Sequence, residues 1–160
     1  MKTPVRLVIR GYSSAGFAGA FIRWFTFGQF SHVSFVFEYA NHPPEEFESI
    51  QGKGVVHHPP TEGKAYLAFH VPLTPDEIEM AHEQAMTIHG KYDWKGIWGF
   101  VVKKKRHSEF KWFCSEYLAY ILWKARYPIS RREPYRETPS SVRESLRIVR
   151  SEEDEDINAP

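Results

Sequence analysis

A single cysteine, Cys114, in 160 residues excludes an intramolecular disulfide and is compatible with a reducing compartment. Net charge is nearly absent as well. Twenty-one Lys and Arg stand against 20 Asp and Glu, a formal +1, so no overall field favours nucleic acid or another polyanion. No apolar run approaches the roughly 20 residues that a membrane span needs. The alternating start MKTPVRLVIRGYSS lacks the continuous apolar stretch and small-residue cleavage site of a signal peptide. These absences predict a cytoplasmic protein without a nucleic-acid partner. Aromatic residues, by contrast, are abundant at 16%, which points to a thick aromatic core or a groove. The length is that of one typical domain with a core of its own. Residues 1–150 are expected to form that domain, and the acidic SEEDEDINAP of residues 151–160 a disordered tail.

Hydrophobic period assigns the elements. Val5 to Ile9 alternates as a half-buried strand, ended by Gly11. Phe17, Phe21, Trp24 and Phe25 recur at helical spacing between Ser13 and Gly28. With only Arg23 on its polar side, this helix reads as core packing in preference to a membrane-surface helix, which leaves membrane contact weakly supported. Ser31 to Tyr39 is the clearest strand, with Val33, Phe35 and Phe37 on one face and His32, Ser34, Val36 and Glu38 on the other. The turn-rich ANHPPEE separates it from FESI and GVVHH, which predicts a sheet of sequential hairpins. TPDEIEMAHEQAMTIHG carries a complete helix grammar: Thr74 as N-cap, Pro75 in the first turn, Glu77 closing a capping box, Ile78, Ala81, Ala85 and Ile88 on one face, and Gly90 at the end. KKKRH (Lys103 to His107) reads as a solvated loop. CSEYLAYILWKA places Leu118, Ile121, Leu122 and Ala125 on one stripe, so Cys114 opens a buried helix, and Thr138 and Pro139 repeat the Thr-Pro helix start. The fold class is α+β.

Cysteine reacts as the thiolate, which the unpaired N–H groups and dipole of a helix N-terminus stabilise. Cys114 is expected there. A nucleophile also needs a base held in the right tautomer. His32 is the best candidate, on the strand face that carries Ser34 and Glu38. Without that pairing, a lone cysteine in a helix reads as a small core hydrophobe and a histidine at a strand start as structural.

The ordered segments SHVSFVFE, FESIQGKGVVHHPP, GKYDWKG, WFCSEYLAY and TPSSV resemble the circularly permuted papain-like hydrolases, the YiiX-like branch of the NlpC-type cysteine peptidases. The resemblance covers residues 5 to 150. It implies an antiparallel sheet packed on helices with the nucleophile at a helix N-terminus. It further implies His32 as base, Cys114 as nucleophile and Glu48 as the acid that orients the histidine. Tyr92, Asp93 and Trp112 would line the substrate groove, and no metal or cofactor is called for. The usual Gly-Asp pair before the first strand is missing here. A naive register across the YANHPPEE loop sets Glu48 nearer Val36 than His32, with His57 as the next third residue and Glu38 too far along the strand. The chemistry implied is amide hydrolysis, on a peptide or cell-wall-like bond, through a Cys-His-Glu triad and a thioester acyl-enzyme. The Cys114 backbone N–H would be one oxyanion donor, with Tyr92 or Gln29 as candidates for the second. Trp24, Trp94, Trp98 and Trp112 could wall an apolar groove.

The expected partner is a small-molecule, peptide or lipid-like acyl substrate. An acyltransferase, thioesterase or lipid hydrolase of the same fold and a non-catalytic binding module remain as alternatives. A zinc site has eight histidines and one cysteine to draw on. However, no His-x3-His or Cys-x2-Cys spacing occurs, and the two histidines at 57 and 58 point opposite ways in a strand.

Overall fold

The computed structural model describes residues 2–12, 31–50, 52–61, 67–92, 111–130, 133–137 and 141–142. Strand β1 (Pro4–Tyr12), β2 (His32–Tyr39), β3 (Glu45–Ile50), β4 (Gly54–His58) and β5 (Leu67–Val71) form one sheet in the order β4-β3-β2-β1-β5. All four pairings in it are antiparallel. Helices α1 (Pro75–Thr87) and α2 (Cys114–Lys124) accompany it, with a short 3-10 turn at Pro134–Arg136. The α+β class is therefore observed.

The alternation in β2 sets the layers. Val33, Phe35 and Phe37 face inward and are buried with Leu7 and Ile9 of β1, Phe47 of β3 and Ile78, Ala81 and Ala85 of α1. Tyr117, Leu118, Ile121 and Leu122 of α2 close the same core. Phe35 lies between Phe47, stacked at 5.8 Å, and Tyr117 at 5.1 Å between centroids. Each such side chain contributes about 1.5–3 kcal/mol by leaving water. The opposite face carries Arg10, Tyr12, His32, Ser34, Glu46 and Glu48, a polar seam across three strands.

Several sequence expectations change in detail. Gly11 does not end β1: it lies within the strand, between Val33 of β2 and Leu67 of β5, because neighbours on both sides hold the backbone extended. β5 pairs with β1 in place of β4, so the sheet is not a simple run of hairpins. Helix α1 has the expected Thr74 capping box, but it stops at Thr87 with Ile88 already extended. Gly90 is no helix cap. Its carbonyl accepts a hydrogen bond from Val55 N–H at 2.9 Å. This contact brings β6 (Lys91–Tyr92) beside β4, and β6 pairs in parallel with β7 (Lys111–Trp112). Of the expected helix after Thr138, only Ser141 and Val142 are described, both helical. The aromatic helix before Gly28, the KKKRH loop and the acidic tail lie outside the described residues. Among the described residues no helix is long and apolar enough to cross a membrane.

Candidate active site

β7 runs into α2 through Phe113, the N-cap, and Cys114 is the first helical residue. The first bond of the helical ladder joins Tyr117 N–H to the Phe113 carbonyl at 2.9 Å. The N–H groups of Cys114, Ser115 and Glu116 therefore lie outside that ladder, at the positive end of the helix dipole. Two buried serines fix the entry. Ser49 of β3 donates to the Trp112 carbonyl at 2.6 Å, and Ser115 donates to the Glu137 carbonyl at 2.5 Å. Both anchor backbone, so the start of α2 is tied to the sheet on one side and to the 3-10 segment on the other.

His32 opens β2 opposite Tyr12, whose ring leans on the imidazole at 5.7 Å. Its Nε2 bonds Glu48 Oε2 at 2.5 Å. Cys114 is a further neighbour, whose charge and hydrogen bonding act on the His32 pKa. Nε2 is taken by Glu48, so Nδ1 is the ring nitrogen left for the sulfur. Burial by itself would lower the His32 pKa. The Cys114 charge and hydrogen bond, then those of Glu48, outweigh it and push the value up to about 10. Burial would likewise raise the Glu48 pKa, but the bonds and charges of His32 and then His58 hold the carboxyl below its usual range.

The register explains how Glu48 arrives there. Pro43 and Pro44 cannot donate to a ladder, and the connecting loop closes at Glu45, whose carboxylate accepts from the Tyr39 hydroxyl at 2.9 Å. Phe37 then pairs with Glu45 and Val36 with Glu46. Glu46, not Glu48, sits opposite Val36, and Glu48 lies two residues nearer His32. This corrects the naive register. His57 is also set aside as third residue. It faces the core side, stacked on Phe47 at 5.3 Å, and belongs to the opposite face from Glu48.

Its neighbour His58 is the histidine that reaches the site, and the sequence reasoning passed over it. His58 Nε2 bonds the second oxygen of Glu48 at 2.6 Å, and its Nδ1 meets the Pro59 carbonyl at 2.7 Å. The signal was available in the hairpin. Ile50 pairs with Gly54 across a three-residue connection, which sets His57 opposite Phe47 and His58 opposite Glu46. No family model and no curated protein matches this chain.

Glu46 makes a second acid-centred cluster beside the first. It is 1% exposed and accepts from Tyr12 and Ser34 hydroxyls, Arg10 at 3.1 Å and Thr61 N–H at 2.9 Å. The burial of Tyr12 and its bond to Glu46 push the phenol pKa upward.

The remaining expected site residues are placed less centrally. Trp112 precedes the helix, but its ring is buried between Tyr117 and Tyr120, at 6.1 and 5.0 Å. Its indole packs against the first turns of α2. Tyr92 pairs through its backbone with Trp112. Asp93, Gln29, Trp24, Trp94 and Trp98 lie outside the described residues. Among the described residues no group of three or more His, Cys, Asp or Glu side chains is placed to hold a metal ion. Cys114 itself is 2% exposed.

Proposed function

We propose that this chain is a permuted papain-like cysteine hydrolase that cleaves an amide bond, peptide or cell-wall-like, through Cys114, His32 and Glu48. The observation that carries the reading is the position of His32, which bonds Glu48 through Nε2 and whose pKa is raised by Cys114, the residue that opens a helix. An imidazolium held between a carboxylate and a sulfur favours the thiolate, the reactive form of cysteine. The Cys114 sulfur forms a bond to the substrate carbonyl carbon, and the carbonyl electron pair moves to oxygen. The Cys114 N–H, outside the helical ladder, is one donor to that oxyanion. His32 gives its proton to the leaving nitrogen as the C–N bond breaks, which leaves a thioester. Water then attacks the thioester carbon, His32 takes the proton of that water, and the C–S bond breaks to release the acid. An acceptor other than water would make the same site an acyltransferase, a thioester substrate a thioesterase, and an ester substrate a lipid hydrolase.

The 2% exposure of Cys114 favours a second reading, a binding module that keeps this arrangement without turnover. Iodoacetamide labelling of the folded chain across pH separates the two, since it asks for both access and thiolate character. The expected result is labelling well below the ordinary thiol pKa of about 8.5, with His32→Ala moving the midpoint up toward it. A cysteine that labels only on unfolding leaves the binding module. Comparison of fluorogenic peptide amides with acyl esters, using Cys114→Ser as the blank, assigns the substrate class.

A further inference from the structure

His58 has both ring nitrogens against groups that can only accept. Nε2 meets Glu48 Oε1 at 2.6 Å, and Nδ1 meets the Pro59 carbonyl oxygen at 2.7 Å. A neutral imidazole carries one N–H, and its other nitrogen is a lone pair. In that form one of these two contacts would set a lone pair against an oxygen lone pair, so both are hydrogen bonds only when His58 is the imidazolium. The Glu48 carboxylate is thus shared by two imidazoles, one oxygen to each, with a fixed cation on its far side.

We propose that His58 is a positioning residue of the candidate site: its two N–H groups span the Pro59 carbonyl and Glu48 Oε1, and so hold Glu48 Oε2 on Nε2 of His32. The inference rests on the reading of Cys114 as nucleophile and His32 as its base, and it adds the group that makes the third member rigid. A carboxylate held through one oxygen alone can rotate about its terminal torsion, which is broad in the absence of partners. With both oxygens engaged it presents a single direction to His32, which leaves Nδ1 as the nitrogen for Cys114.

The charged and titratable groups around His58 agree with a cation. Glu46 lies directly opposite on β3, and Glu48 lies diagonally on the same strand. Arg10 of β1, which shares Glu46 as a neighbour, is spent on Glu46 and on the Thr61 carbonyl, at 3.1 and 2.8 Å. His32 on β2 reaches His58 only through Glu48, and Tyr12 of β1 bonds Glu46. Burial would lower the His58 pKa, but the Pro59 carbonyl and then Glu48 raise it above its usual value.

Two measurements on the full chain test this. Long-range 1H–15N correlation spectra at pH 7, where an ordinary histidine is mostly neutral, should show both ring nitrogens of His58 protonated. A non-protonated nitrogen on His58 at that pH overturns the proposal whatever the site does. Iodoacetamide labelling of Cys114 across pH should shift by about one pH unit toward the ordinary thiol range in His58→Ala. At a pH below both midpoints that shift is about a tenfold slower rate. His58→Gln, which restores a donor toward Glu48 without the charge, should recover part of the loss. A purely structural role would lower the melting temperature of both variants and leave the labelling profile of the folded protein unmoved, and that result also overturns the proposal. If His32→Ala shifts the profile and His58→Ala does not, the positioning role fails and the hydrolase reading stands. If His32→Ala itself leaves the profile unchanged, both fall together.

Discussion

Glu46 and Glu48, two residues apart on β3, point to the same face and meet different partners. Glu46 is 1% exposed and receives four donors, from Arg10, Tyr12, Ser34 and the Thr61 backbone. Its truncation leaves the largely buried Arg10 guanidinium with the neutral Thr61 carbonyl in place of a counter-charge and takes the carboxylate acceptor from two hydroxyls, and an uncompensated buried charge costs more than the lost pair itself. Glu46→Ala should therefore lower the unfolding free energy by about 3 kcal/mol in urea titrations. Glu48→Gln should do the reverse, with a smaller loss of stability and a larger loss of Cys114 reactivity. A glutamine can accept from only one of the two imidazoles, and its amide N–H groups oppose the N–H of the other. The two variants, compared in one urea titration and one labelling profile, separate the stabilising carboxylate from the one at the site. Equal effects on both readouts would mean that the two acids form one cluster.

At the scale of elements, what was legible in the sequence was periodic and local. The face assignment of β2, the Thr74 capping box and the cysteine at a helix start depend on spacings within one segment. The observed strand and the two observed helix starts follow those spacings. Register between segments was not legible, because it depends on where a loop releases the chain. The ladder of β3 begins after Pro43 and Pro44, so Glu48 falls beside His32. The β3–β4 turn then selects His58 over His57. β5, a five-residue strand, was missed outright, as were the two-residue β6 and β7, which are too short to carry a period. The glycines of that turn offer a test. Gly52 and Gly54 both have positive φ, at 81° and 86°, but a Cβ on Gly54 would lie 2.0 Å from the Gly90 carbonyl oxygen, whereas one on Gly52 meets nothing within 4 Å. Gly52→Ala should cost about 1 kcal/mol of left-handed strain. Gly54→Ala should cost about 3 kcal/mol, because it also forces β6 off β4. In a chain of this size the second change corresponds to a melting temperature lower by roughly 6–12 °C. Equal melting temperatures for the two variants would show that the Val55–Gly90 contact does not constrain the strand.

For the whole molecule, the opposed shifts of these groups shape stability against pH. Glu48 and Glu45 have folded pKa values below their ordinary 4.5. The stability they add is present above that value and is lost as pH falls through the lowered ones. His32 and His58 are shifted the other way. Their contribution is complete below the ordinary 6.5 and is lost as pH rises through the raised values, up to about 10 for His32. His82, lowered by burial against the Phe37 and Phe47 rings, acts with the acids, since protonating it below 6.5 favours the unfolded chain. Burial of Tyr12, Tyr39 and Tyr117 raises their pKa values, which steepens the loss beyond pH 10. The melting temperature should therefore peak between about pH 5 and pH 6.5 and decline steadily from 6.5 toward 10. His32→Ala and His58→Ala should each flatten that alkaline limb while lowering the peak. Differential scanning calorimetry at half-unit pH steps reads both. A wild-type curve level from pH 6.5 to 10 would mean that neither imidazole is held as a cation in the fold. The same result would remove the charge relation among His58, Glu48, His32 and Cys114 on which the proposed chemistry of the site depends.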